Sequence, residues 1–335
     1  MKVFLRIVLG VVAVILLLVV VVFGMRFYNT QKYNLSEEQE AFDYHDVSNY
    51  PDSFEGGTVE HFESGMANGL HLLPDNPNDT EPIVVFGGSE GSSNFQLAEQ
   101  IAEEGYEVYS LFFFGADNQT EALNKVPLEF FQDFLDYSEL AGENVTVIGG
   151  SKGAELGLVL TNYYDEVSNL VLYAPGSYVY QGLDFGGYTG SSWTWEDTEL
   201  PYIDFTQSSF PAFLRLMFDM AVLNPLKYRE TYESAVEMNE FSNEARIDVS
   251  NFDGNALLFA GEQDAMWQGD IAAEEIGEAL GERAEVVIYP NAGHLFGAPP
   301  QIAGLALGGT EEVNIEAKID SDEKLFRFLE EYSAN

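Results

Sequence analysis

From about residue 57 onward, short apolar runs typical of β-strands alternate with stretches typical of α-helices. Parallel strands need long crossover connections, which are usually helices. The alternation therefore predicts an α/β fold with a mostly parallel central sheet flanked by helices. The predicted strands are 82–86, 107–113, 145–148, 170–173, 256–259 and 284–289. The predicted helices are 95–104, a helix that starts at Pro127, a helix that follows Gly153 and runs to about Tyr164, and 315–332.

The regular alternation stops between residues 176 and 250. This stretch is too long for a plain connection between two strands. It is also rich in aromatic residues, which are Tyr178, Tyr180, Tyr188, Trp193, Trp195, Tyr202, Phe210, Phe213 and Phe218. We predict that residues 176–250 form a cap inserted into the α/β domain rather than an independent domain.

The run from Ile7 to Met25 contains no charged residue. At about 1.5 Å per residue, a helix of this length reaches roughly 28 Å, close to the thickness of a hydrocarbon core of about 30 Å. The run ends in Phe23-Gly24-Met25-Arg26, which makes a poor cleavage site, so an uncleaved transmembrane anchor is favoured over a signal peptide or a buried core helix. The predicted organisation is an anchor (1–26), a tether (27–56) and an α/β domain (57–335).

Charge limits the partners that this chain can have. Asp and Glu number 56 against 14 Lys and Arg, which gives a formal net charge of −42. Such a surface repels phosphate backbones, so nucleic acid is excluded as a partner. The chain has no cysteine, which excludes disulfides, thiolate metal sites and a cysteine nucleophile. Short basic N-termini usually stay in the cytoplasm, so we expect a single-pass protein with its α/β domain outside the cytoplasm.

The segment Gly149-Gly150-Ser151-Lys152-Gly153 matches the pattern G-x-S-x-G. It lies between a predicted strand and a predicted helix, which is the context that a nucleophilic serine on a strained turn requires. Glycines are expected there because bulkier neighbours would clash at such a turn. The pattern alone is weak evidence, but its position between strand and helix makes Ser151 the candidate nucleophile.

Two further residues follow predicted strands in the order expected for a serine triad. Asp264 comes after the strand that ends near Gly261, with Glu262 and Asp270 as rival acids. His294 comes directly after the last predicted strand. The order Ser151, Asp264, His294 is the nucleophile–acid–base order of α/β-hydrolases. The other histidines are interpreted as surface or packing residues, and they are His45, His61 and His71.

In this arrangement His294 would take the proton of Ser151 and later return it to the leaving group, while Asp264 would hold the imidazole in the correct tautomer. Backbone N–H groups of Lys152 and Ser89 are the predicted oxyanion hole, Ser89 belonging to the glycine-rich loop 87–91. That loop lacks the Walker lysine and the dinucleotide fingerprint, so we do not assign it to phosphate binding. Triad chemistry needs no cofactor, and no metal-site spacing is present.

Several segments together resemble one family, the C-terminal hydrolase domain of acyl-CoA thioesterases and bile acid-CoA:amino acid N-acyltransferases. The segments are VVFGGSEG (84–91), IGGSKGAELGL (148–158), SSWTWEDTELPY (191–202), GEQDAMW (261–267), YPNAGH (289–294) and GGT (308–310). The resemblance spans roughly residues 57–333 and implies a dienelactone-hydrolase-like α/β-hydrolase fold. It also implies the triad Ser151, Asp264 and His294. The animal enzymes carry a β-sandwich domain where this chain has the tether.

The resemblance implies hydrolysis of acyl thioesters, and transfer to amino acids goes with a cysteine nucleophile in that family. We therefore expect a membrane-anchored serine hydrolase that cleaves acyl esters or thioesters. If its domain faces outward, acyl-CoA cannot be its usual substrate. Trp193 and Trp267 are the candidate residues of the acyl pocket, although core packing explains at least half of the cap aromatics equally well. Acyl transfer, peptide cleavage and a catalytically silent surface-binding module are the alternatives.

Overall fold

The computed structural model describes residues 2–33, 42–184 and 189–333, so part of the predicted tether (34–41) and Tyr188 lie outside the described residues. The strands are β1 (Ser53–Phe54), β2 (Gly57–Ser64), β3 (Ala67–Pro74), β4 (Ile83–Phe86), β5 (Val108–Phe112), β6 (Val126–Pro127), β7 (Val145–Gly150), β8 (Val167–Tyr173), β9 (Trp193–Trp195), β10 (Thr198–Glu199), β11 (Asn255–Gly261), β12 (Ala284–Tyr289), β13 (Gln301–Ile302) and β14 (Leu305–Ala306). The α-helices are α1 (Lys2–Lys32), α2 (Phe95–Glu103), α3 (Phe130–Tyr137), α4 (Lys152–Leu160), α5 (Phe210–Val222), α6 (Arg229–Met238), α7 (Ser242–Ala245), α8 (Gly269–Leu280) and α9 (Glu311–Tyr332).

The central sheet has the strand order β1-β2-β3-β5-β4-β7-β8-β11-β12. Six neighbouring strands of this sheet run parallel, in the order β5-β4-β7-β8-β11-β12. At the other end of the sheet, β1, β2 and β3 pair antiparallel, and β3 also pairs antiparallel with β5. Each of the six predicted strands corresponds to a parallel strand, so the predicted α/β fold is confirmed. The strand order reverses at β4, which has β5 on one side and β7 on the other. Ligands of open α/β sheets bind at such a switch point, beyond the carboxyl ends of the strands.

Alternate residues of the central strands feed two separate apolar layers. In β4, which is buried throughout, Val84 and Phe86 pack into one layer while Ile83 and Val85 pack into the other. Helices α3, α4 and α8 cover the first layer, and α2 and α9 cover the second. Because both faces of the sheet are covered, its strands read as continuous apolar runs rather than as alternating ones.

The stretch predicted as a cap consists of short strands and helices above the sheet. Strands β9 and β10 pair with β6 in a small sheet of order β10-β9-β6, and α5, α6 and α7 follow. The prediction that Pro127 begins a helix is wrong, because Pro127 ends β6 and the helix begins at Phe130. The Val126 N–H donates to Ser192, the residue before β9, and the Leu128 N–H donates to Thr194 of β9, so at this sheet edge Pro127 needs no donor.

The N-terminal helix α1 contains the predicted anchor and continues to Lys32, six residues beyond it. It is long and apolar enough to cross a membrane, and a signal sequence would share these properties. Beyond the undescribed residues, the stretch predicted as a tether packs on the α/β domain. The His45 ring bonds to the carbonyl of Phe114, and β1 joins the central sheet.

Candidate active site

Ser151 occupies a strained turn between β7 and α4. Its backbone has φ 53° and ψ −115°, and its N–H donates to the carbonyl oxygen of Tyr173 at 2.8 Å. A Cβ on Gly149 would lie 2.2 Å from the carbonyl oxygen of Gly153, and one on Gly153 would lie 2.1 Å from that of Gly87. These close approaches explain why the motif has glycine at both positions.

His294 and Asp264 complete a hydrogen-bonded chain that begins at Ser151. The Oγ atom of Ser151 lies 3.0 Å from Nε2 of His294, and Nδ1 of His294 lies 2.7 Å from Oδ2 of Asp264. Asp264 is 2% exposed and His294 is 7% exposed. The three residues follow β7, β11 and β12, so they meet beyond the carboxyl ends of these strands, beside the switch point.

The second carboxylate oxygen of Asp264 is also occupied. Oδ1 accepts hydrogen bonds from the N–H groups of Met266 at 2.7 Å and Trp267 at 3.2 Å. This leaves Oδ2 aimed at the imidazole. The rival acids lie elsewhere, since Glu262 is exposed and Asp270 forms an ion pair with Arg229 at 2.9 Å.

The two predicted oxyanion donors border Ser151. Lys152 is the first residue of α4, where the N–H has no partner within the helix, and no acceptor among the described residues bonds to it. The Ser89 N–H likewise bonds to no acceptor among the described residues. The loop that carries Ser89 lies against the nucleophile, because a Cβ on Gly88 would be 3.6 Å from the Cβ of Ser151. The Gly88 N–H is occupied by Oε1 of Glu90 at 3.1 Å.

Directly beneath the nucleophile, Lys152 and Glu155 form a completely buried ion pair. Nζ of Lys152 lies 2.7 Å from Oε2 of Glu155 and 2.7 Å from Oγ of Ser192 in the cap. The other oxygen of Glu155 accepts from the Trp193 indole at 2.8 Å and from the Tyr180 N–H at 3.2 Å. Burial lowers the pKa of Lys152 and raises that of Glu155, against the attraction between the two charges.

The two candidate pocket tryptophans have different surroundings. Trp193 is fully buried and bonded to Glu155, so it offers no face to a substrate. Trp267 is 3% exposed and donates to the carbonyl of Ala174, and its ring centre lies 6.1 Å from that of His294. Trp267 therefore borders the catalytic histidine candidate, while Trp193 belongs to the support of α4.

Three residues that hold the site in place were not singled out from the sequence. Asn314 accepts from the N–H that precedes His294, at 2.8 Å, and Arg229 donates to the Asp264 carbonyl at 3.3 Å. Glu90 holds the loop next to the nucleophile. Asn314 and Arg229 lie outside the motifs that the sequence analysis quotes, and Glu90 lies inside the segment 84–91, where only the loop glycines and Ser89 received a role.

The nine-stranded sheet, its flanking helices and the serine-containing turn define an α/β-hydrolase. A family model described as "BAAT / Acyl-CoA thioester hydrolase C terminal" matches residues 126–334, which is more than half of the chain. The chain belongs to this family, as its sequence motifs predict.

Curated relatives agree with this assignment. Acyl-coenzyme A thioesterase 2, mitochondrial, of Mus musculus is 22% identical over 287 residues, which cover 79% of this chain and 58% of the relative. Acyl-coenzyme A amino acid N-acyltransferase 1 of Mus musculus is 25% identical over 249 residues, or 72% of this chain and 54% of the relative. The chain thus spans less than two thirds of the length of these relatives.

Solved structures share the fold. A dienelactone hydrolase-like promiscuous phosphotriesterase from metagenomic libraries matches with a TM-score of 0.51 and 14% identity, over 83% of this chain and 99% of its own. The acylaminoacyl peptidase of Pyrococcus horikoshii matches with a TM-score of 0.51 and 14% identity, over 90% of this chain and 45% of its own.

Proposed function

We propose that this protein is a membrane-anchored serine hydrolase that cleaves acyl esters or thioesters through an acyl-enzyme. The observation that carries the proposal is the buried chain of hydrogen bonds from Ser151 through His294 to Asp264. The family and its curated thioesterases support hydrolysis of an activated acyl group. The apolar helix α1 supports anchoring. We place the α/β domain outside the cytoplasm because short basic N-termini usually stay inside.

In the first half of the reaction, Oγ of Ser151 attacks the acyl carbonyl carbon while its proton moves to Nε2 of His294, 3.0 Å away. Asp264 stabilises the imidazolium that forms. The N–H groups of Lys152 and Ser89 receive the negative charge on the tetrahedral oxygen. When the bond to the leaving group breaks, His294 returns the proton to the departing alkoxide or thiolate, and the acyl group remains on Ser151.

In the second half, His294 takes a proton from water, and the hydroxide that forms attacks the acyl-enzyme. The ester bond to Ser151 breaks, the serine oxygen recovers its proton from His294, and a carboxylic acid leaves. Near-complete burial of His294 and Asp264 strengthens each of these electrostatic contacts relative to the same contacts in water.

The test compares wild type with Ser151→Ala, in labelling by a fluorophosphonate probe and in hydrolysis of activated esters and acyl-CoA. Ser53→Ala, which changes an exposed serine far from the triad in sequence, is the matched control. We expect labelling and turnover to disappear in Ser151→Ala and to persist in Ser53→Ala. Unchanged hydrolysis in Ser151→Ala would refute the proposed nucleophile, and an unlabelled wild type would favour a silent binding module.

Acyl transfer is the second candidate, because amino acid N-acyltransferases are among the matched relatives. The two reactions share the acyl-enzyme and differ in the group that attacks it. Product analysis with competing glycine separates them: a hydrolase releases fatty acid at an unchanged rate, whereas a transferase forms N-acylglycine at its expense.

A further inference from the structure

The exposed side of helix α5 is apolar, whereas a helix surrounded by water exposes polar residues. Its N-terminus is capped by the Ser209 hydroxyl, and its inward positions are Ala212, Asp219 and Val222. Its outward positions recur with helical spacing and are almost entirely apolar, with exposures between 45% and 68%. They are Phe210, Phe213, Leu214, Met217, Phe218 and Met220. A surface helix of a water-soluble domain shows the opposite arrangement.

The element beside this apolar face is the membrane helix candidate α1. Arg26 and Asn29 of α1 donate to the carbonyl oxygens of Ala221 and Val222, each at 2.9 Å, and the Tyr33 hydroxyl donates to Asn224 at 3.3 Å. These bonds satisfy carbonyl groups at the end of α5 and fix the two helices to each other.

The contact also fixes the depth of α5. The apolar run of α1 ends at Met25, and a belt of aromatic and basic residues follows it, with Arg26, Tyr28 and Lys32. Such belts mark the level of lipid head groups. A cleft of about 630 Å³ between the helices is lined by residues on both sides of this level, which lie between Val21 and Tyr33 on the N-terminal side and between Arg215 and Asn224 of the cap. With α1 crossing the bilayer as proposed above, α5 would lie at the boundary between head groups and acyl chains.

We propose that the exposed face of α5 is embedded in the bilayer that holds α1, so that the enzyme takes long-chain acyl substrates from the membrane rather than from water. This inference rests on the membrane anchoring proposed above. Insertion must be driven by apolar contact, because a chain with net charge −42 is not attracted to anionic lipids. The acid of α5, Asp219, faces inward and is paired with Arg215 at 3.0 Å.

A short series of packing contacts links α5 to the catalytic site. Helix α5 packs on α6, and the N–H groups of Tyr228 and Arg229 at the start of α6 donate to the carbonyl of Ala265, next to Asp264. Further along α6, the Tyr232 ring lies 5.6 Å from the Trp267 ring. Helix α6 is thus the one element of this series between α5 and the loop that carries Asp264.

The absence of native cysteine allows a direct measurement of depth. Met217→Cys in the full chain is labelled with an environment-sensitive fluorophore and reconstituted in phosphatidylcholine vesicles with or without a doxyl-labelled lipid. Val14→Cys, inside the apolar run of α1, is the positive control. Glu143→Cys is the negative control, because this exposed residue precedes β7 and lies at the sheet edge opposite the catalytic edge.

We expect lipid quenching at positions 14 and 217 and none at position 143. Quenching at position 14 without quenching at position 217 overturns the inference while leaving the anchor intact. A label at position 217 that is shielded from water but not quenched by lipid also overturns it, since a second protein copy would then cover α5. No quenching at position 14 contradicts the anchor itself, and the inference falls with it.

Charged substitutions on the exposed face of α5 test whether the enzyme takes its substrate from the membrane. Leu214→Glu/Met217→Glu is compared with wild type on a palmitoyl ester dissolved in vesicles and on a water-soluble acetyl ester. Ile319→Glu on α9, which places a charge on a 58% exposed apolar residue of another helix, is the matched control. Because the two charges remove apolar contact with the bilayer at two positions, we expect a loss of at least about tenfold on the palmitoyl ester.

Turnover of the acetyl ester should stay within about twofold, because the triad is untouched and only membrane contact is lost. Equal losses on both esters, or no loss on the palmitoyl ester, would overturn the inference. A wild type that hydrolyses neither ester instead contradicts the proposed hydrolase function, while the quenching measurement still decides whether α5 is embedded.

Discussion

Removing the charge of Glu155 should destabilise the fold strongly, because its partner cannot reach water. Glu155 is completely buried and Lys152 is 2% exposed, with only 2.7 Å between Nζ and Oε2. In Glu155→Gln the amide oxygen can keep the bonds to Trp193 and Tyr180, but Lys152 retains Ser192 as its remaining described hydrogen-bond acceptor. Breaking one side of a buried pair typically costs about 3–5 kcal/mol, a large part of the whole stability of a domain.

The assay is urea unfolding of the full chain in detergent micelles, followed by tryptophan fluorescence. The double variant Lys152→Met/Glu155→Gln removes the stranded charge as well, so we expect it to regain about 2 kcal/mol relative to Glu155→Gln. Glu285→Gln is the control: it breaks the exposed pair with Arg327 and should cost under about 1 kcal/mol.

The penalty should also depend on pH with a defined sign. Burial lowers the pKa of Lys152, so the folded state holds the lysine proton less tightly than the unfolded state does. The cost of the buried charge is therefore complete below the folded pKa and fades as pH rises towards the ordinary lysine value. A Glu155→Gln penalty below about 1 kcal/mol at pH 7, or a double variant no more stable than the single one, would refute this reasoning.

Further predictions concern the triad, the turn and an acid-sensitive pair. Asp264→Asn should keep the fold and lower kcat by about 10⁴-fold, because the imidazole loses its correct tautomer; ester kinetics with circular dichroism check this. Gly153→Ala should prevent stable folding, since its Cβ would lie 2.1 Å from a carbonyl oxygen, whereas Gly150→Ala, with no atom within 4 Å, should unfold at nearly the wild-type urea concentration. A hydrogen bond from His71 lowers the pKa of Glu107. The stability that Glu107 contributes should therefore be complete above its unfolded pKa and lost as pH falls through its folded pKa. We expect Glu107→Gln to lower the free energy of unfolding more at pH 7 than at pH 3.

The parallel part of the fold could be predicted because its signals are local. Each parallel strand is a short apolar run bounded by glycine or polar residues, and the glycines at 149 and 153 are needed by atoms a few residues or one strand away. Chain order then selected Asp264 and His294 from many acids and four histidines. The structure joins Ser151 to His294 and His294 to Asp264 by hydrogen bonds, and the catalytic roles of these residues stay a prediction.

Other features were not predictable because distant contacts determine them. Pro127 fits a helix start by local rules, but pairing with Trp193 and Thr194 places it in a strand. Strands β2 and β3 contain glycine, asparagine and charged residues, which weaken the strand signal, and pairing stabilises them. The sequence shows that Trp193 is aromatic and lies in the predicted cap. Only the fold shows that its indole N–H donates a hydrogen bond to Glu155 near the nucleophile.

The bond between Lys152 and Ser192 has a mechanical consequence for the cap. Ser192 sits next to β9, which is paired with β6 and followed by a turn to β10, so this end of the cap is fastened to the nucleophile helix at several points. The whole cap therefore cannot move away from the α/β domain as a rigid body without exposing the Lys152–Glu155 ion pair. Any movement that admits a substrate must be confined to the α5–α6 side, and the wall formed by β9 and β10 must stay in place during turnover.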